Sequence, residues 1–237
     1  MRYKFLIILL FFGILIMFLC LSEFIPVSTP VIRGQDGKIL ENSVTMLEKI
    51  EIGGMEQWIL IRGNDISNPV LLWLHGGPGA SQMSVSQYFN GDLEKDFIVV
   101  HWDQRGAGKS NPSNFNEKTM TIEQYVSDTH ELTIYLKNKF GKEKIYLLGH
   151  SWGALLGIET VKNYPEDYYA YIGVSQPVSN DIISQSISYE WLSQQMLAKG
   201  NQKELKKLKD LGEIPYIDHD NYVKFANMVS SYGGVWT

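Results

Sequence analysis

The 237-residue chain is 44% hydrophobic and 20% charged, with 21 Lys and Arg against 26 Asp and Glu and a formal net charge of -5. That apolar fraction excludes intrinsic disorder for the bulk of the chain, and the acidic balance leaves no basic surplus to neutralise nucleic-acid phosphates. The length suits one α/β domain with a sizeable core.

The first element is a targeting segment. Arg2 and Lys4 precede an unbroken apolar run from Phe5 to Leu21, and the first acidic residue, Glu23, follows at once. As a helix the run is roughly 26 Å long, near the low end of what spans a bilayer. Positive charge ahead of it and none just behind predict a single pass with the N-terminus inside and the remainder extracytoplasmic. A cleaved signal shares this pattern and would make the protein secreted. No small-x-small site follows closely, however, and Met17, Phe18 and Leu19 before Cys20 are bulky where a lipoprotein signal needs a small residue. Residues 1–24 therefore read as an anchor in preference to a signal, and residues 25–43, with Pro26 and Pro30, as a linker. Cys20 is the sole cysteine, so no intramolecular disulfide is available and stability rests on the core.

From Val44 short apolar runs alternate with helical patterns. Lys49 to Ile52 and Gln57 to Arg62 predict an antiparallel pair around Gly53 and Gly54. Val70 to Leu74, Phe97 to His101 and Lys144 to Leu148 are compact apolar runs of the kind that form strands covered on both faces, the parallel centre of a sheet. Between the last two, Thr121 and Gln124 make a capping box, and Ile122, Tyr125, Val126, Thr129, Leu132, Leu136 and Phe140 follow a helical stripe to Gly141. A further helix runs from Ser151 to Tyr164, before Pro165, and Tyr168 to Val174 supplies one more strand. The order strand, helix, strand, helix, strand is that of a mostly parallel α/β sheet with crossover helices, spanning residues 44–176. Residues 177–237 change character: 186–199, 201–211 and 218–230 all read as helices. Lys203, Lys206, Lys207 and Lys209 alternate with Leu205, Leu208 and Leu211 and form a solvated face.

The chemistry is carried by Gly149-His150-Ser151-Trp152-Gly153, a G-x-S-x-G sequence with an apolar strand before it and an amphipathic helix after it. A sharp strand-to-helix turn needs small residues two before and two after its apex, because a Cβ there collides with neighbouring backbone. The turn exposes Ser151 Oγ, the expected nucleophile, at the carboxyl edge of the sheet and close to a helix N-terminus. The N–H of Trp152 is one expected oxyanion donor. His150 leaves the turn in another direction and is expected to pack beside the strand, not to act as a base. His75-Gly76-Gly77-Pro78-Gly79 follows the strand at 70–74, and its glycines let backbone N–H groups approach a developing oxyanion without obstruction. The five histidines, His75, His101, His130, His150 and His219, show no i, i+4 pair with Glu between, so neither a metal nor a cofactor is expected. Gly108-Lys109-Ser110 ends like a P-loop but has Asp103 where that motif needs glycine, and Gly106 and Gly108 begin a dinucleotide fingerprint that Asn111 breaks.

Taken in order, HGGPG at 75–79, DQRGAGKS at 103–110 and GHSWG at 149–153 resemble the proline iminopeptidase family of α/β-hydrolases, serine aminopeptidases that remove N-terminal proline from peptides. The likeness covers about Val70 to Val174, and Lys109 stands where family members often have arginine. It implies the α/β-hydrolase fold, no cofactor, a peptide or small acyl substrate, and Gly77 with Trp152 as oxyanion donors. It also implies that Asp103 and Arg105 brace the loop after their strand, and that 177–237 is part of a helical cap.

In this fold the triad runs Ser, acid, His. After Ser151 the one histidine is His219, in Asp218-His219-Asp220, where helix capping is the simpler reading and a base the lesser one. The expectation is that the chain stops inside the cap, before the last strands with their acid and base, which leaves its activity in doubt. Glu190, Glu204 and Glu213 are the compositional candidates for holding a substrate amine. An esterase or lipase is the alternative enzyme, since elbow and oxyanion loop serve both acyl types; an inactive remnant or membrane-attached binding module is the alternative outside enzymes.

Overall fold

The structure is a computed structural model that describes residues 28–177 and 181–234. Phe5–Leu21 and Cys20 lie outside the described residues. No helix among those described is long and apolar enough to cross a membrane.

A six-stranded sheet has the order β1-β2-β4-β3-β5-β6, with β1 Val44–Ile52, β2 Met55–Gly63, β3 Val70–Leu74, β4 Ile98–Asp103, β5 Ile145–His150 and β6 Tyr168–Val174. The first two form a hairpin in full register from Val44 opposite Gly63 to Ile52 opposite Met55, several residues longer than the apolar pattern predicts. Its two-residue turn holds Gly53 at φ 55° and Gly54 at φ 73°, the paired positive values that match the twist of the flanking strands. β2 meets β4 antiparallel, and β4, β3, β5 and β6 run parallel. The three apolar runs thus form the parallel centre, with Leu72 opposite both Val100 and Leu147. Leu72, Val100 and Leu147 are fully buried, as strands sandwiched between helices require.

Helix α1 is a single turn, Ser86–Phe89; α2 is Ile122–Phe140 and α3 Trp152–Asn163. Leu132 and Leu136 of α2 and Leu156 of α3 join the strand residues in one core. Thr121 Oγ1 accepts from the N–H of Gln124 at 3.2 Å. The other half of the expected capping box is not made: the Thr121 N–H donates to Thr119 O at 3.0 Å, and the Gln124 side chain turns to Asp128, donating to its Oδ1 at 2.7 Å. β6 closes one edge of the sheet, and beyond Tyr168 its residues are half-buried or exposed.

The stretch expected to be a linker is docked from residue 28 onward. Arg62, buried beside Glu94 at 2.8 Å, still has donors to satisfy, and its Nη1 reaches Thr29 Oγ1 at 2.7 Å and the Pro30 carbonyl at 2.6 Å. Ile32 is buried, and Arg33 bridges Ile39 in a small hairpin. A buried guanidinium holds this backbone in place, a demand that proline and polar composition do not reveal.

After β6, α4 Asp181–Ala198, α5 Gln202–Asp210 and α6 His219–Ser231 follow; α4 begins five residues before the expected 186. These helices enclose a second apolar cluster of Leu192, Met196, Leu205, Leu208, Tyr216, Phe225 and Val229. On α5 the leucines point inward and all four lysines are exposed, as the spacing predicts.

Candidate active site

Ser151 is the residue between β5 and α3, with φ 52° and ψ -117°. A non-glycine residue in that region carries about 1–3 kcal/mol of strain and persists only where the surroundings impose it. They do so through two glycines. A Cβ on Gly149 would lie 2.2 Å from the Gly153 carbonyl oxygen, and one on Gly153 would lie 2.1 Å from the Leu74 carbonyl oxygen. The elbow is thus wedged against the end of β3. The Ser151 N–H donates to Val174 O at 2.9 Å, and the Ser151 carbonyl accepts from Ala154 at 2.8 Å to open α3.

The glycine loop after β3 lies directly against this turn. A Cβ on Gly76 would sit 3.3 Å from Ser151 Cβ and 3.1 Å from His150 Nδ1. Gly77 has φ 115°, and a side chain there would meet the amide nitrogens of Gly79 and Ala80 at 2.6 and 2.7 Å. The Gly77–Pro78 peptide is cis, and Ala80 N donates back to Gly76 O at 3.2 Å. His150 packs against Gly76, and its buried Nδ1 has no hydrogen-bond partner among the described residues.

His75 fixes the loop at its root. Its Nδ1 lies 2.8 Å from Gly76 O and its Nε2 lies 3.3 Å from the Gln104 N–H. Only the neutral ring protonated on Nδ1 satisfies both contacts. Burial pushes the His75 pKa below its ordinary value, which favours that neutral form. Burial, with His75 as a neighbour, also pushes His101 down to about 4.

The loop after β4 ties these pieces together. Gln104 is buried; its Nε2 donates to His75 O at 3.2 Å and its Oε1 accepts from Trp152 Nε1 at 3.2 Å. One side chain therefore links the root of the glycine loop to the residue after Ser151. Asp103 accepts from the Ser81 hydroxyl and, at 2.7 Å, from the Lys109 N–H. Arg105 donates to Asp128 through Nε at 2.8 Å and Nη2 at 3.0 Å, and also to Thr119 Oγ1 and Gly53 O. Asp128 is fully buried and takes two more bonds, from Gln57 and Gln124, so its lone pairs are filled. A half-buried serine at a strained apex, with the glycine loop after β3 packed directly against it, is a layout suited to acyl transfer.

Residues 69–210 match the family model described as alpha/beta hydrolase fold. The chain belongs to that family. Over 139 residues it is 40% identical to a probable aminopeptidase of Bacillus subtilis (strain 168), covering 59% of this chain and 44% of the relative. Over 169 residues it is 28% identical to a proline iminopeptidase of Lactobacillus delbrueckii subsp. bulgaricus, covering 69% and 54% respectively. The chain spans about half the length of these curated relatives. Among solved structures, a proline iminopeptidase-related protein from Thermus thermophilus superposes with a TM-score of 0.52 at 21% identity, covering 80% of this chain and 67% of that one. At that identity the likeness concerns the fold.

In this α/β-hydrolase the expected elbow, glycine loop and DQR segment converge on one end of the sheet, so Ser151, Trp152, Gly149, Gly153, His75, Gly76, Gly77, Pro78, Gly79, Asp103 and Arg105 belong to one connected region. His219 is the first residue of α6, and Asp218 caps the helix by accepting from Asn221 N at 2.9 Å, which is the capping role expected of that trio. Glu190 and Glu213 are exposed, and Glu204 pairs with Lys207 at 2.6 Å, the behaviour of surface charges. Sequence reasoning missed Gln104, Ser81 and Asp128. Asp128 left a signal, an acidic residue on the apolar stripe of α2, where only a buried cation would accept it.

Proposed function

We propose that this hydrolase cleaves N-terminal residues from peptides through an acyl-enzyme on Ser151. The observation that carries the reading is the strained apex at Ser151, imposed by Gly149 and Gly153 and faced by Gly76. In the proposed reaction Ser151 Oγ attacks the scissile carbonyl, and the oxyanion accepts from the N–H groups of Gly77 and Trp152. Collapse expels the amine, which leaves with the proton given up by the Ser151 hydroxyl, and water then hydrolyses the ester, giving its hydroxyl to the acyl group and a proton back to Ser151 Oγ. His75, Gln104, Asp103 and Arg105 hold the two donors in register. Helices α4–α6 serve as a cap that shapes the substrate pocket. The names of the curated relatives, an aminopeptidase and a proline iminopeptidase, support a substrate with a free amino end.

We also propose that Phe5–Leu21 anchors the chain with its hydrolase domain on the outer side, supported by Arg2 and Lys4 ahead of the run and Glu23 behind it.

Among the described residues no histidine or carboxylate bonds to Ser151, so acylation by the described residues alone is expected to be slow, with oxyanion stabilisation retaining about 10³–10⁴-fold over water. A fluorophosphonate probe should label Ser151 slowly and fail on Ser151→Ala; equal labelling of both would remove Ser151 as nucleophile, and no labelling of either would favour an inactive binding module. Aminoacyl anilides should then be cleaved in preference to their N-acetylated forms. Equal turnover of simple acyl esters would favour an esterase.

A further inference from the structure

The chain that leads from the apolar N-terminal run is held against the hydrolase domain by Arg62, so its position relative to the domain is fixed from Thr29 onward. There Ser28, Thr29 and Pro30 form one wall of a cavity of about 430 Å³, whose other walls include Leu60, Ser84 and Gln87. Ser84 precedes the surface turn of α1 and Gln87 lies within it; on this turn and its N-cap, Val85 is 43%, Tyr88 77% and Phe89 80% exposed. Single exposed apolar residues are ordinary, but three within five positions form a patch that calls for a partner.

The length of chain upstream limits where that partner can be. Six residues lie between Leu21 and Ser28, and the seven steps from one to the other reach at most ~25 Å when fully extended. With the apolar run in a bilayer, the strap wall of the cavity lies within that reach of the membrane, and Ser84 and Gln87 share the cavity. The aromatic turn therefore sits on the tethered side of the domain. Tyr and Phe suit the membrane interface, where an amphipathic ring rests at headgroup level. The charges that follow the turn, Asp92, Glu94 and Asp96 with Lys95, give no basic cluster to recruit anionic lipid.

We propose that Val85, Tyr88 and Phe89 rest in the interface of the same membrane that holds Phe5–Leu21, so the hydrolase domain lies on the bilayer with the cavity beside the contact. This rests on the anchor reading above and extends it from a tether to a fixed orientation. Apolar insertion drives the contact, and its strength should not depend on anionic lipid.

The test uses the full chain in phosphatidylcholine nanodiscs, with Cys20→Ser as background and one nitroxide label at a time on Phe89→Cys, Glu123→Cys or Phe12→Cys. Accessibility to oxygen over a water-soluble nickel chelate reads depth. Phe89 is exposed, so its replacement spares the core. The ratio at position 89 should exceed that at position 123 several-fold and stay unchanged when phosphatidylserine replaces part of the lipid. A water-like ratio at 89 with a bilayer-like ratio at 12 would overturn the orientation and keep the anchor. A water-like ratio at 12 would overturn the anchor and the orientation with it. Shielding of 89 from both reagents would point to a protein partner and overturn the lipid contact.

Discussion

The hydrolase core and the helical segment that follows it solve the packing problem in opposite ways. The hydrolase core buries Gln57, Arg62, Glu94, Asp103, Gln104, Arg105 and Asp128, each engaged in hydrogen bonds, whereas Gln185 is the only buried polar side chain among the described residues of 181–234. Helices α4–α6 close around an apolar cluster, and their charges sit outside. A buried ion pair is a poor source of net stability, because desolvation offsets most of the Coulomb gain. The Arg105–Asp128 pair anchors the loop after β4, whose Gln104 reaches both His75 and Trp152; that placement argues for holding geometry, and the helical segment shows what the same chain does where no geometry needs holding.

Removing one partner from the polar half should have the largest effect. Asp128→Ala strands the Arg105 guanidinium and should cost about 4 kcal/mol, read as a lower urea midpoint. In the helical segment the comparable loss is a cavity: Leu192→Ala should cost about 3 kcal/mol with no change in the rate of fluorophosphonate labelling. A labelling rate that falls in Leu192→Ala and not in Asp128→Ala would erase the contrast between the two regions.

Acid should also reach the core first. Unfolded, His101 titrates near its ordinary 6.5; folded, it titrates at about 4. Between those values the unfolded chain binds a proton that the native chain refuses, so stability is full above the window and drains as pH falls through it. The loss should be about 2 kcal/mol between about pH 7 and about pH 4.5. His101→Gln should flatten that slope in denaturant titrations at several pH values. The smallest expected effect is at Asp218, whose replacement by Ala should lower stability by about 1 kcal/mol through loss of the α6 cap. A much larger loss from this exposed position would mean that the Asp218-His219-Asp220 trio does more than start a helix.

The strand order along the chain, the elbow and the glycine loop were legible because each rests on short-range rules. Apolar runs at 70–74 and 144–148 read as covered strands without knowledge of their neighbours, and Gly149 and Gly153 are spaced as a strained apex demands. The docking of residues 28–43 was not legible, because what holds Thr29 and Pro30 is Arg62, more than thirty residues away and itself committed to Glu94. Gln124 shows the same limit. Its spacing from Thr121 fits a capping box, yet its amide serves the buried carboxylate of Asp128.

By itself the sequence determined a mostly parallel α/β sheet and a serine at the tip of its central turn, since periodicity, glycine placement and chain order are local properties of the polymer. Only the tertiary structure decided that Gln104 joins His75 to Trp152 and that Arg105 closes on Asp128. Those bonds exist because burial strips water from groups distant in the chain, and each must then find its partner across the fold.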